Sequence, residues 1–116
     1  MTVATSTREL AHPEHTEIRL EAVLHALADP LRLRVVRALA DADRELACSH
    51  FELPVTKSTS THHFRVLRES GVIRQTYRGT AKMNRLRGED LDALFPGLLD
   101  SVLVAAGAQA KRLGDG

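Results

Sequence analysis

The segment from Lys57 to Gly71, KSTSTHHFRVLRESG, places hydroxyl side chains and two adjacent histidines ahead of an apolar and basic run. Ser, Thr and His are the residues of nucleophilic and general-base catalysis, so this cluster could form an active site. At about 3.6 residues per turn, however, Phe64 and Leu67 fall on one side of a helix, and polar or cationic side chains fall on the other. Such a helix suits the major groove of DNA, where it can donate to phosphates and base edges.

An active site in the same segment would need a nucleophile, a base and an acid that orients the base, all arranged around a pocket. Ser60 or Thr61 with His63 supplies the first two from a single helix, and no Asp is placed to orient the base. A chain of 116 residues also has little room for a pocket beside its core. We therefore expect that the protein is not an enzyme.

The helix and the segment after it supply the candidate DNA contacts. Arg65 or Lys57 can read the N7 and O6 atoms of guanine. His63 precedes the apolar Phe64, so a structural or phosphate-binding role is as plausible for it as a base-reading role. Cations beyond the helix would meet phosphates or the minor groove. The candidates are Lys57, Ser58, Thr59, Thr61, His62, His63, Arg65, Arg74, Arg78 and Lys82.

Charge is sorted along the chain, although the net charge is only +1. Residues 57–87 hold eight basic residues and one acidic residue, a net charge of +7, whereas residues 1–30 and 89–116 each carry −3. A local excess of this size is typical of a nucleic-acid-binding surface with acidic flanks. A solvated basic face is the alternative interpretation.

Composition limits the class of protein. The length favours one domain, and one Tyr, three Phe and no Trp favour a core of packed helices. A single cysteine excludes an internal disulfide and suits a reducing compartment. No run approaches the roughly 18 apolar residues that span a membrane, and the first residues lack the apolar core of a signal peptide. We expect a cytoplasmic protein with no membrane partner.

Local signals divide the chain into elements. Residues 1–14 lack periodicity and are predicted to be a flexible arm, while residues 15–113 form the domain. A first helix is expected over about 15–28 with Thr16 as a cap, and Asp29-Pro30 should begin a second.

A third, short helix is predicted over residues 46–51. Thr56 should cap the helix that follows, and Gly71 should close it. Two helices about four residues apart, the second polar and basic on one face, are the arrangement of a helix-turn-helix.

After Gly71 the apolar period changes to two. Residues 72–76 and 81–85 flank the turn Tyr77-Arg78-Gly79-Thr80, which predicts a β-hairpin with cations on its strands. Directly after a recognition-like helix, such a hairpin would be a wing. The fold class is therefore mainly α with a small hairpin, a winged helix-turn-helix.

The last part of the chain predicts dimerisation. Residues 89–112 are helical in pattern, and Pro96 should kink or divide them. Residues 98–106 are apolar around most of the helix, so one side can face the protomer core and the other a second copy. We expect a homodimer through this helix and the first one. The candidate interface residues are Leu20, Leu24, Leu91, Leu98, Val102 and Leu103.

Three segments together resemble the ArsR/SmtB-type winged-helix repressors. They are residues 27–40, residues 57–73 and the Arg78-Gly79 tip of the hairpin. The resemblance implies a dimeric regulator of transcription that binds an inverted repeat in double-stranded DNA, usually a repressor released by a small-molecule inducer. It does not identify the inducer. The recognition-helix motif is matched by Thr61, His63, Phe64, Leu67, Arg68, Glu69, Ser70, Gly71 and Val72.

The chain departs from that family's best-known effector sites. Only Cys48 and His50 stand where a Cys-x-Cys pair is usual, and residues 89–113 contain no histidine. We predict no cofactor and no metal. A metal- or redox-responsive repressor that uses Cys48 and His50, with His12 or His15 of a second subunit, stays an alternative. A winged-helix module that binds protein instead of DNA is another.

Overall fold

Five helices and four short strands make up the structure, a computed structural model that describes residues 7–114. The helices are α1 (Leu20–Leu27), α2 (Pro30–Ala42), α3 (Lys57–Glu69), α4 (Gly88–Leu94) and α5 (Leu98–Leu113), with 3-10 turns at His15–Glu17 and Cys48–His50. The strands are β1 (Thr7–Glu9), β2 (Leu46–Ala47), β3 (Ile73–Arg78) and β4 (Ala81–Leu86). The winged helix-turn-helix architecture predicted from the sequence is confirmed.

Helix α2 begins where the sequence predicts. The Asp29 carboxylate accepts from the backbone N–H groups of Leu31 at 2.8 Å and Arg32 at 3.1 Å, and Pro30 occupies the first turn. These bonds satisfy two of the amide groups that every helix start leaves without an intrahelical partner. Within α2, Val35 and Leu39 are buried as expected.

Helix α1 begins at Leu20 instead of near Thr16. Ile18 is extended and buried, and it fills the space beside Gly71 at the end of α3. A Cβ at Gly71 would lie 2.6 Å from Ile18 Cγ1, and Gly71 has a φ of +88°. Glycine is therefore required there both by the left-handed backbone and by the close contact with Ile18.

Residues 46–51 differ from the predicted helix. Leu46 and Ala47 pair with Asn84 and Met83 as strand β2, and one 3-10 turn follows. The Asn84 side chain also donates to the Leu46 carbonyl at 3.1 Å. Strand pairing with the wing therefore outweighs the local helical preference of this segment.

The four strands form one antiparallel sheet in the order β1-β3-β4-β2. Strands β3 and β4 are the predicted hairpin, joined by Gly79 and Thr80. Gly79 has a φ of +64° at the first of these two loop positions, a backbone that glycine tolerates without strain.

The prediction of a flexible arm over residues 1–14 is wrong for residues 7–14. Strand β1 pairs with β3, with Arg8 opposite Tyr77. Pro13 accepts a hydrogen bond from Arg87 Nη1 at 2.9 Å, and the His15 ring lies 3.2 Å from Asp90 Oδ1. Long-range pairing that no local pattern shows therefore orders this segment; residues 1–6 lie outside the described part.

The C-terminal pair of helices packs on α1 and α2. Pro96 and Gly97 separate α4 from α5, and the helix direction changes by 113° between them. The predicted break is confirmed. Leu91 and Leu99 join Val23 and Leu27 in the hydrophobic core. No single helix of residues 7–114 is long and apolar enough to cross a membrane. The bent pair α4 and α5 taken together has the length and composition of a membrane span, and this is the only respect in which it resembles one.

Candidate nucleic-acid interface

Helix α3 has one buried side and one exposed side. Thr56 caps it by accepting from the Thr59 backbone N–H at 3.3 Å, and Phe64 and Leu67 anchor it in the core. The opposite side carries the polar and cationic candidates, and all of them are open to an external partner. These exposed residues are Lys57, Ser58, Thr59, Thr61, His62 and Arg65.

His63 does not belong to this exposed side. It is buried, and its Nδ1 atom lies 3.1 Å from Nη1 of the buried Arg32. Because a guanidinium can only donate, His63 Nδ1 accepts this hydrogen bond. Arg32 also donates to the carbonyls of Ala26 at 2.7 Å and His25 at 3.1 Å, which close the end of α1. Of the roles considered for His63, the structural one fits, and we remove it from the DNA contacts.

The wing separates its cations onto two faces. Side chains that lie directly opposite each other in an antiparallel pair point to the same side of the sheet. Lys82 lies opposite Tyr77, on the face that α3 covers, whereas Arg74 and Arg78 alternate onto the other face. Of the three predicted wing contacts, only Lys82 therefore lies on the side of the recognition helix.

Two of the three cations on the far face of the hairpin, Arg74 and Arg78, are paired with carboxylates. The third, Arg85, lies opposite Arg74, is exposed and makes no salt bridge within residues 7–114. Arg78 donates two hydrogen bonds to Glu45, at 2.6 and 2.7 Å, and these bonds lower the pKa of Glu45 below its ordinary value. Arg74 binds Glu9 of β1, and this hydrogen bond lowers the pKa of the Glu9 carboxyl. Neither cation is as available to DNA as the sequence suggests, since each already has an anionic partner.

A groove of about 720 Å³ separates the start of α3 from the wing. Lys57, Ser60 and Thr61 line one wall, and Tyr77 and Lys82 line the other. Lys57 and Lys82 carry positive charge on opposite walls, so the groove suits a polyanion that touches both elements.

A buried polar network, which sequence reasoning missed, joins α3 to the wing. Gln75 and Asn84 are fully buried on facing strands, and Arg68 of α3 donates to Gln75 Oε1 at 2.6 Å. In the sequence, Gln75 and Asn84 each stand next to an arginine in a predicted strand, so they resemble ordinary polar surface residues. Their spacing could have shown that they are buried, because Gln75 and Asn84 each lie two residues from an apolar residue, Ile73 and Leu86, and so point to the same face of the sheet.

Comparison with known proteins agrees with this arrangement. Residues 27–76 match the family model described as a helix-turn-helix domain. These residues include α2 and α3, the two helices of the helix-turn-helix in the fold. The chain is also 29% identical over 82 residues to the uncharacterized HTH-type transcriptional regulator YceK of Bacillus subtilis (strain 168); the aligned region covers 69% of this chain and 82% of that protein.

Cys48 lies against the buried amides of the wing. Cys48 Sγ accepts from Asn84 Nδ2 at 3.2 Å and lies 3.9 Å from Gln75 Nε2. His50 is exposed and packs edge-on against Phe51, with ring centroids 5.3 Å apart. Within residues 7–114, no three His, Cys, Asp or Glu side chains converge as a metal site would require. A site completed by a second subunit stays an untested alternative.

Helices outside the helix-turn-helix carry the predicted dimer residues. Leu20 and Leu24 are 43% and 45% exposed on α1. Leu98, Val102 and Leu103 are half-buried against the core. Leu91, at 2% exposure, packs inside the protomer, so we remove it from the predicted interface.

Proposed function

We propose that the chain is a sequence-specific, double-stranded DNA-binding regulator of transcription that acts as a repressor. The observation that carries the proposal is the exposed side of α3, where Lys57, Thr61 and Arg65 stand free while Phe64 and Leu67 hold the helix to the core. Hydroxyls and cations on a rigid helix are the groups that contact phosphates and base edges in the major groove.

The helix-turn-helix match and the similarity to an HTH-type transcriptional regulator of Bacillus subtilis support the same role. We infer that the regulator is of the ArsR/SmtB type. The recognition-helix motif, the Arg78-Gly79 wing tip and terminal helices that pack beside the domain support this subtype. A repressor of this type would act in the cytoplasm and would be released by an inducer that we leave unassigned.

We further propose that the active form is a homodimer. Leu20 and Leu24 expose an apolar edge of α1, and Val104 of α5 is 74% exposed. Burial of such side chains in a second copy would remove apolar surface from water. Two recognition helices related by a two-fold axis would enter successive major grooves about 34 Å apart, so the operator should be an inverted repeat.

Fluorescence anisotropy tests the DNA-binding function directly. The purified protein is titrated onto the DNA upstream of its own gene and onto scrambled duplex, over a range of salt, with chelator and with added zinc. We expect specific binding that weakens steeply as salt rises, because phosphate contacts release counterions. Release by zinc would instead favour the metal-responsive alternative at Cys48 and His50.

Two substitutions test whether Arg65 determines the preference for specific DNA. Arg65→Ala should reduce the preference for specific over scrambled DNA, with a loss of about 1–3 kcal/mol if Arg65 reads a guanine. Arg112→Ala removes the same charge from an exposed position on α5 and should leave that preference unchanged. Retention of full specificity by Arg65→Ala would contradict the assignment of α3. If the protein binds no duplex, the winged helix serves a protein partner instead.

A further inference from the structure

The N-terminal strand brings an additional cation to the wing. Arg8 lies opposite Tyr77, and Tyr77 lies opposite Lys82, so the three side chains form one row on one face of the sheet. Arg8 Cζ is 4.9 Å from the centroid of the Tyr77 ring, and Lys82 Nζ is 5.8 Å from it. This is the face that α3 covers, and the row continues the wing wall of the groove outward from β4 to β1.

Arg8 and Lys82 differ in their partners from Arg74 and Arg78 on the opposite face. Arg74 and Arg78 are bound by Glu9 and Glu45. Within residues 7–114, neither Arg8 nor Lys82 makes a salt bridge to a carboxylate. The positive charge on the α3 side of the wing is therefore available to an external anion, whereas on the other face Arg74 and Arg78 are already neutralised and only Arg85 is not.

Strand β1 pairs with β3, and the residues that follow it are also bound to β3. The Leu10 backbone N–H donates to the Gln75 carbonyl at 3.2 Å, and His12 Nε2 accepts from the Gln75 backbone N–H at 2.8 Å. The ion pair from Glu9 to Arg74 adds a contact on the reverse face. A cation on a strand anchored in this way is positioned before DNA arrives, so less conformational freedom is lost on binding.

We propose that β1 is part of the DNA interface and that Arg8 contacts a backbone phosphate beside the groove entered by α3, next to a contact from Lys82. The Arg8 guanidinium lies over the Tyr77 ring, and a guanidinium held in this way still has N–H groups that can donate to phosphate oxygens. This inference rests on the proposed DNA-binding function. A phosphate contact positions α3 and carries no sequence information of its own.

The slope of log Kd against log salt concentration reports the number of phosphate contacts, so it tests whether Arg8 makes one. Arg8→Gln should reduce this slope by about 0.9 for each protomer bound, on specific and on scrambled duplex alike. Arg112→Gln is the matched control, since it removes one positive charge from exposed α5 and should leave the slope unchanged. Tyr77→Phe keeps the ring and should bind like the wild type, whereas Tyr77→Leu should lose part of the Arg8 contribution.

The outcomes separate this inference from the function on which it rests. If the wild type binds no duplex DNA, the proposed function fails. If the wild type binds and Arg65→Ala loses specificity while Arg8→Gln keeps the full slope, only the role of Arg8 is overturned. Equal losses in Arg8→Gln and Arg112→Gln would show a general charge effect and would overturn it too. A loss on the specific duplex alone would mean that Arg8 reads bases, which contradicts a phosphate contact.

Discussion

Gln75 and Asn84 lie directly opposite each other in the wing, and the Gln75 amide donates to Asn84 Oδ1 at 2.8 Å while both side chains are fully buried. Arg68 of α3 donates to the other end of Gln75, and Asn84 donates to the Leu46 carbonyl of β2. One chain of hydrogen bonds therefore connects the recognition helix to three strands of the sheet. A buried network of this kind constrains the angle between the helix and the wing, and both are proposed to contact DNA. Within residues 7–114, Nε of Arg68 is the one buried side-chain polar atom left without a hydrogen-bond partner.

Loss of the Gln75 amide should destabilise the protein. Gln75→Leu keeps a side chain of similar volume but leaves Arg68 and Asn84 without their partner in a buried site, which costs about 1–3 kcal/mol for each polar group left unpaired. We expect the free energy of unfolding to fall by about 2 kcal/mol or more in urea titrations. Gln109→Leu makes the same exchange at an exposed position of α5 and should change stability by less than about 0.5 kcal/mol. Equal effects would show that the network does not stabilise the fold.

Arg32 should be one of the most sensitive positions in α2. It is 7% exposed, and it closes the end of α1 through the Ala26 and His25 carbonyls while it binds His63. Arg32→Met removes these bonds from a buried site, and we expect a loss of about 3 kcal/mol in thermal or chemical unfolding. Arg34→Met changes an exposed arginine of the same helix and is the control. A loss no greater than that of Arg34→Met would contradict the role of Arg32.

Several elements could be predicted because their signals are local. Asp29 before a proline, Thr56 before a polar run and Gly71 after an apolar turn each act within a few residues, and the structure has helix boundaries at all three. The alternating pattern on either side of Gly79 likewise predicted the hairpin. Short-range backbone chemistry therefore accounts for most of the element boundaries.

The errors all involve contacts between distant segments. Strand β1 depends on an edge of β3 more than 60 residues away, and the 46–51 segment becomes extended because β4 offers it a partner. The role of His63 stayed open between structure and DNA contact because its partner, Arg32, lies in another helix. No window of sequence around these residues contains the group that determines their placement, so local patterns cannot find it.

Because Lys82 and Arg74 lie on opposite faces of the wing, we expect them to contribute differently to DNA binding. Lys82→Gln should lower the salt slope of DNA binding by about 0.9 for each protomer. Arg74→Gln should lower it less, since Glu9 already neutralises Arg74 on the face away from α3. The comparison uses anisotropy on scrambled duplex, which isolates phosphate contacts from base contacts. An Arg74 effect as large as that of Lys82 would mean that the far face also meets DNA.

A charged residue on α1 should disrupt self-association. Leu24 is 45% exposed, so Leu24→Glu can fold as a protomer but would place a charge in the proposed interface. We expect a dimer to become a monomer in sedimentation-velocity or light-scattering measurements, with weaker operator binding. Val55→Glu alters another exposed apolar residue, in the segment before α3, and should leave the dimer intact. A Leu24→Glu dimer would place the interface elsewhere.

Acid should release the N-terminal strand through His12. Burial, reinforced by the nearby Arg74, lowers the pKa of His12 below its ordinary value of 6.5. The folded state therefore binds fewer protons than the unfolded chain once the pH falls below that value, and stability decreases as the pH falls through the folded-state pKa. Protonation also removes the lone pair with which Nε2 accepts from the Gln75 N–H. The charged groups that act on the ring are Glu9, Arg74, Arg87 and Arg68.

Amide hydrogen exchange at Gln75 reports this release directly. Between pH 7.5 and 5, the protection factor of the Gln75 N–H should fall in the wild type and stay nearly flat in His12→Gln, whose amide oxygen can accept the same bond without titrating. His25→Gln replaces an exposed histidine of α1 and should follow the wild type. Glu9, Glu45 and Asp90 have lowered pKa values, so their contributions are lost only at more acid pH and do not enter this window. If His12→Gln loses protection in step with the wild type, a group other than His12 controls the strand.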